Sequence, residues 1–171
     1  MNIFYLSKDP KKAAVYQYNK HVVKMILETA QMLCTAHLVI GEEKGYDGSY
    51  VPYKMAHKNH PSTKWIRSNI LHYEWAYKHM LELGKEYTRR YGKTHLTITK
   101  CKAVLMNPPR GIKETDWSDP PQCMPEEYKS SSSLIGYWNY YIGEKGSVKG
   151  EKEIMYSSMP DEVVKEVNKE R

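Results

Sequence analysis

NKHVVKMILETAQMLCTA, residues 19–36, is the stretch whose reading decides the fold of this chain. Val22, Val23, Met25, Ile26, Leu27, Ala30, Met32, Leu33 and Ala36 cover more than one face of a helix. A helix lying on a surface needs only one apolar stripe, so this pattern predicts a central, mostly buried helix. Its polar residues form a narrow strip of Lys20, His21, Lys24, Glu28, Gln31 and Thr35. Positions three and four apart stack on one side, which lets Lys20, Lys24, Glu28 and Gln31 meet. Charges are rarely buried without partners. Two readings follow: the strip lines a pocket for an anion, most simply a phosphate, or it is a solvated face with Lys24 and Glu28 as an ordinary ion pair.

Outward from that helix, the chain of 171 residues fits one domain. We expect a helical domain over 1–143 and a charged tail over 144–171, with an amphipathic helix at 160–169 as its one candidate element. A formal charge of +6 and a pI near 9.0 point to a polyanionic partner, although the basic residues are scattered. Fifteen Tyr and four Trp stand against a single Phe. Aromatic rings with a polar tip suit half-buried positions and surfaces on which bases stack. Cys34, Cys101 and Cys123 lie far apart with no C-x-x-C spacing. Together with the absence of a signal-peptide pattern, they predict a reduced, cytoplasmic protein without a disulfide framework or thiolate zinc site. No apolar run reaches the length of a membrane span on this reading, and no membrane partner is expected.

Local signals predict the other elements. Residues 1–6 read as a short strand or extended arm. Asp9 caps a helix with Pro10 at its first position, running to about Tyr18. Asn19 is a candidate cap for the long helix, which should stop near Ile40 at Gly41. Residues 42–62 form a long loop. A helical pattern over 61–91 has a bend near Asn69 or Leu71 and a stop at Gly92. Thr94 is placed to cap a helix reaching Met106, which the Asn107-Pro108-Pro109 sequence terminates. Residues 107–130 form a proline-rich wrap that buries Trp117 and Met124, followed by a helix over 134–142.

Several residue types carry possible chemistry. His57 and His60 form an H-x-x-H pair in the loop, a weak metal alternative that lacks a third ligand. The blander role is hydrogen bonding of Asn59 and His60 ahead of Pro61. Arg67 is suited to forking a phosphate; the blander roles are a surface ion pair with Glu74 or a stack on Trp65. Arg90, Lys93 and His95 belong to the densest basic cluster, at the junction of two helices. His72 and His79 read as structural, and His37 as a favourable charge near a helix C-terminus. Amines at Lys20, Lys24 or the chain's start are candidate nucleophiles toward an anomeric carbon.

Three segments together resemble a known family: MNIFYLSKDPKKAAVYQYNKHVVKMILETAQML, HKNHPSTKWIR and HYEWAYKHMLELGKEYTRRYGKTH. They are similar to pyrimidine-dimer DNA glycosylases of the endonuclease V type, nearer to uncharacterised phage and bacterial members than to the enzymes of known activity. The likeness spans roughly residues 1–95. It implies an enzyme in which an N-terminal amine attacks the sugar C1′ of a damaged nucleotide, while a glutamate and basic residues of the first long helix support an imine and strand cleavage. By motif, Lys20 and Lys24 match the basic positions, and His21 stands where the glutamate would be. Asn2 after Met1 disfavours methionine removal, which leaves the free amine on Met1. The candidate catalytic set is Met1, His21 and Lys24, together with Glu28, the one acid inside the basic strip of the long helix, two turns beyond the matched position. Lys20, Asn59, His60, Trp65, Arg67, Arg90, Lys93 and His95 are the candidate phosphate or DNA contacts.

The expectation is therefore a mainly α, single-domain helical bundle that binds DNA, a duplex with a damaged or modified base, and acts as a glycosylase and lyase without a cofactor. Two alternatives remain: a nucleic-acid-binding protein without chemistry, and a phosphoesterase using His21, His57, His60 and His95. Oligomeric state is left open.

Overall fold

The computed structural model describes residues 2–144, and they form an all-helical bundle. The expected tail, with its candidate helix at 160–169, lies outside the described residues. In chain order the helices are α1 (Pro10–Val15), α2 (Asn19–Lys44), α3 (Pro61–Ser68), α4 (Ile70–Tyr91), α5 (Leu96–Leu105) and α6 (Ser133–Gly143), with one 3-10 turn at Glu126–Tyr128. The α2 helix packs along α4, and α3 and α5 each touch both, while α1 lies against α4.

Local chemistry explains most boundaries. The Asp9 side chain accepts from Lys11 N–H, with Pro10 at the first helical position. The helical pattern over 61–91 breaks at Asn69, whose extended backbone separates α3 from α4 and whose side chain accepts from His72 N–H. Gly92 ends α4 with φ 71°. Four boundaries differ from expectation. The first helix stops at Val15 and not at Tyr18. Tyr18 occupies the cap position of α2, and Asn19 Oδ1 instead accepts from Arg90 Nη1 at 2.9 Å. His95 replaces Thr94 as the cap of α5, its Nδ1 accepting from Thr97 N–H at 3.2 Å. Finally, α2 runs through Gly41 and stops at Gly45, which adopts φ 81°. Gly41 serves a different need: a Cβ there would come within 2.8 Å of the Tyr46 backbone oxygen, so the residue admits the returning loop.

The first residues form an extended arm threaded into the bundle. Ile3, Phe4, Tyr5 and Leu6 are all buried. Indole nitrogens pin the arm: Trp138 Nε1 donates to Leu6 O at 2.9 Å and Trp75 Nε1 to Lys8 O at 2.8 Å. The wrap closes over the other side. Trp117 lies edge-on to Trp65 with centroids 5.4 Å apart, and Trp65 stacks on His72 at 4.2 Å. Rings with one donor each can fill a core and also satisfy backbone carbonyls, which accounts for much of the Trp and Tyr content.

One helix, Asn19–Lys44, is long and apolar enough to cross a bilayer by length and composition, with a best-window mean hydropathy of 1.3. The expectation that no segment reaches that length is thus corrected. With 67% of that window buried inside the bundle, the helix serves as the core of the fold.

The extension of α2 to Lys44 also revises His37. It sits in mid-helix, buried, with Nδ1 2.7 Å from Tyr50 OH and Nε2 2.7 Å from Tyr73 OH. Burial lowers its pKa to about 4, so the ring is neutral and makes no charge–dipole contact. His79 is buried against Gln17, whose amide nitrogen is 3.2 Å from His79 Nε2, and burial lowers its pKa to about 3. Both folded values lie below the ordinary 6.5 of an unfolded histidine. Their neutral forms therefore contribute stability that is fully present above about pH 6.5 and is lost as pH falls below it toward the folded values. Each contributes a slope of up to about 1.4 kcal/mol per pH unit in that window. Thermal melts should show Tm declining between pH 6.5 and 5, before ordinary carboxylates titrate. A flat Tm over that interval would contradict the assignment.

Candidate active site

Helical spacing puts His21, Lys24 and Glu28 on one side of α2, at steps of three and four. The fold adds other elements opposite them. Asn2 and Phe4 come from the arm, His60 from the cap of α3, Cys123 from the wrap and Tyr140 from α6. Together with Met25 these residues line a cleft of about 360 Å³.

Asn2 organises the arm at this cleft. Its Oδ1 accepts from Ile3 N–H at 2.7 Å and from Phe4 N–H at 3.0 Å, while its Nδ2 donates to Cys123 O at 2.9 Å. The turn this creates holds Phe4 at φ 53°, a left-handed conformation that a bulky residue seldom adopts. Such backbone strain costs on the order of 1–3 kcal/mol and persists only where the surroundings enforce it. Here the enforcing contacts are the Asn2 bonds and a stack of Phe4 on His21, with centroids 4.3 Å apart and planes 12° apart.

His21 is held on its other side by α6. Its Nδ1 lies 2.9 Å from the hydroxyl of Tyr141, which also accepts from Tyr18 N–H at 2.6 Å. Tyr18 stacks on Tyr141 at 4.2 Å. His60 Nδ1 accepts from Ser62 N–H at 3.1 Å, capping α3. Burial lowers the His60 pKa, which suits a ring nitrogen used as an acceptor. In the neutral ring, Nε2 then carries the proton. Ser62 Oγ is 3.4 Å from Cys123 Sγ, which ties the wrap to the same corner.

The cleft thus gathers His21, Lys24, Glu28 and His60 from the residues singled out in the sequence. The remaining ones lie elsewhere. Lys20 and Asn59 are exposed outside the cleft lining. Trp65 is buried, its Nε1 donating to Ser118 O at 2.9 Å. Arg90 is an interior residue: its guanidinium pairs with Glu86 at 2.8 Å and donates to Val15 O, Gln17 O and Asn19 Oδ1. Lys93 is exposed, and His95 is edge-on to Tyr87 as well as capping α5. Arg67 lines a different cleft, with residues of α2, α3 and the wrap. The residue Met1 lies outside the described residues. His57 is exposed with φ 49°, and among the described residues no group of three or more His, Cys, Asp or Glu is arranged to hold a metal ion.

Asn2, Phe4, Cys123 and Tyr140 were not singled out from the sequence. No local pattern announces Cys123, which meets Asn2 from 121 positions away. Asn2 did carry a signal, since Asn side chains readily bond to backbone N–H groups one and two residues on.

This cleft, with its lysine, two imidazoles, carboxyl group and pinned N-terminal arm, falls within the matched part of the chain for all but Cys123 and Tyr140: residues 1–99 match the family described as pyrimidine dimer DNA glycosylase. The chain belongs to that family. At family level its function is of the DNA-repair glycosylase type, and DNA is its implied partner. No curated protein and no solved structure matches it. The family match covers the arm, α1 to α4 and the start of α5, whereas the wrap and α6, which complete the cleft, lie beyond it.

Proposed function

We propose that this family member acts on a damaged pyrimidine in duplex DNA, using the amine at the start of the chain as nucleophile. The reading rests on one observation: Asn2, Lys24 and Glu28 line the same cleft, with the arm next to that amine tightly fastened. Residue 1 precedes Asn2 by one peptide unit, which sets its Cα about 3.8 Å from that of Asn2. A nucleophile carried on an arm needs such fastening, since a misplacement of about 1 Å can cost 100-fold in rate.

The chemistry assigns each group a task. The neutral amine donates its electron pair to C1′ as the bond from C1′ to the base breaks, and the departing base leaves with that bond's electrons and takes up a proton. The amine loses a proton, and the sugar ring opens to an imine as its ring oxygen is protonated. Loss of a C2′ proton then expels the 3′ phosphate and cleaves the strand. Glu28 is the group we assign to the proton transfers, because a carboxyl can serve in both directions. Lys24 is assigned to the phosphate beside the sugar. A flipped nucleotide would enter beside His60 and Tyr140.

In this scheme His21 supports the arm through Phe4 and Tyr141, in place of the glutamate that the resemblance would put at its position. His21→Ala should therefore lower the rate of trapping by up to about 100-fold, with DNA affinity held within about tenfold, or 1.4 kcal/mol. The deciding experiment is borohydride trapping of the wild-type protein on abasic and dimer-containing duplexes. A covalent adduct mapped to the first residue supports the proposal. DNA binding with no adduct on any lesion would leave a binding protein in its place.

A further inference from the structure

Arg67 does not join the candidate active site, yet its surroundings have the features of a site of their own. The cleft it lines has a volume of about 240 Å³. Lys64 and Arg67 come from α3, Glu43 and Lys44 from the last turn of α2, and Lys113 from the wrap. Four cations thus face one carboxylate. The wrap is fixed at this point, because Lys113 O accepts from Ile70 N–H at 2.8 Å and Asp116 O from Asn69 Nδ2 at 3.1 Å. The walls are therefore built from anchored backbone.

The telling atom is Arg67 Nη1. It is buried and has no hydrogen-bond partner. A guanidinium brings five donors in a fixed fork, and a buried donor without an acceptor costs on the order of 1–3 kcal/mol, more when charged. No described carboxylate stands within ion-pair distance of Arg67; Arg89 and Arg90, by contrast, both reach Glu86. A partly buried guanidinium with one unsatisfied nitrogen, set among three lysines with Glu43 as the one nearby countercharge, is an arrangement that a planar or tetrahedral oxyanion satisfies.

The position of the cleft narrows the choice of anion. His60, Lys64 and Arg67 follow one another at steps of four and three along α3, so they share a side of that helix. His60 lines the candidate active site, and Arg67 is about 10 Å farther along the axis by helical rise. A strand entering the active-site cleft can continue along this row. We propose that the Arg67 cleft holds a phosphate of a nucleic-acid backbone, outside the nucleotide that reacts. The inference rests on the DNA-binding half of the proposed function and is independent of the amine chemistry.

The test is binding to an undamaged duplex across a salt series, for the wild type and for Arg67→Gln and Lys113→Gln. Each lost phosphate contact removes a share of counterion release. Both variants should bind several-fold more weakly at low salt, with the slope of log K against log salt shallower by about 1. Arg67→Gln removes a partly buried charge that makes no ion pair and has only the longer-range attraction of Glu43 against three lysines, so its Tm should stay close to that of the wild type, and Lys113→Gln gives a second reading at an exposed position. Wild-type affinity and slope in both variants would overturn the proposal. So would a site for free phosphate alone: Tm raised by inorganic phosphate in the wild type but not in Arg67→Gln, with DNA binding unaltered. If the wild type binds DNA and shows these slopes but never traps, the amine chemistry fails and this inference stands.

Discussion

Glu28→Gln is expected to lower the rate of imine trapping and strand cleavage by about 10²–10⁴-fold, the range that a positioned general acid or base supplies. Glu28 is half-buried on the side of α2 facing the arm, in the same cleft as Asn2, Lys24 and His60. Glutamine keeps the shape and the hydrogen-bonding oxygen but cannot accept and return a proton. DNA affinity should change little, or rise, since a carboxylate beside a phosphate is repulsive. Single-turnover trapping at saturating abasic duplex, with binding measured separately, separates the two effects. Wild-type trapping by Glu28→Gln would remove Glu28 from the chemistry. The result would then direct attention to His21, whose Nδ1 is already engaged by Tyr141.

Arg90→Ala should be the most destabilising change outside the apolar core. The Arg90 side chain is 8% exposed and that of Glu86 6%, and the pair joins the end of α4 to the backbone just before α2. Removing one partner of a buried pair leaves an uncompensated charge and typically costs about 3–5 kcal/mol. For a domain of this size that corresponds to roughly 6–20 °C in Tm. Arg89 also reaches Glu86 but is largely exposed, and it cannot replace the three backbone and amide contacts that Arg90 makes. Acid should act on the same pair. Burial alone would raise the Glu86 pKa, but hydrogen bonds from Arg89 and Arg90 outweigh it and hold the carboxyl below its ordinary value. The stabilisation is present above the unfolded value near 4.5 and is lost as pH falls through the lower, folded one. Arg90→Ala should therefore weaken the acid-induced drop in Tm below pH 4.5 as well as lowering Tm at pH 7. A Tm within about 2 °C of the wild type at pH 7 would show that the pair contributes little net stability.

Arg90 also illustrates how charge patterning misleads. In sequence it belongs to the basic run Arg89, Arg90, Lys93 and His95, which reads as an anion-binding junction. In the fold its guanidinium turns inward to carbonyls of the α1–α2 connection, and His95 caps a helix. A linear sequence records which residues can carry a charge but not whether an acid such as Glu86 or a backbone carbonyl has already engaged it. Trp65 teaches the same lesson for aromatics: it resembles a base-stacking ring on α3, yet it stacks on His72 inside the bundle.

The sequence by itself determined the helical architecture, the family, and the cation and carboxyl row on α2. Caps and breaks act over one turn: Asp9-Pro10 starts α1, Asn69 divides α3 from α4 and Gly92 ends α4, each through bonds to backbone groups a few residues away. The 3.6-residue period likewise put His21, Lys24 and Glu28 on one side before any neighbour was known. Only the tertiary structure decided what faces that side. Asn2 meets Cys123 across 121 positions, and His21 meets Tyr141 across 120, through packing that leaves no mark on the intervening sequence. It also parted Arg67 from His60, although both lie on one short helix and its cap, because two helical turns carry a side chain about 10 Å and into a different set of walls.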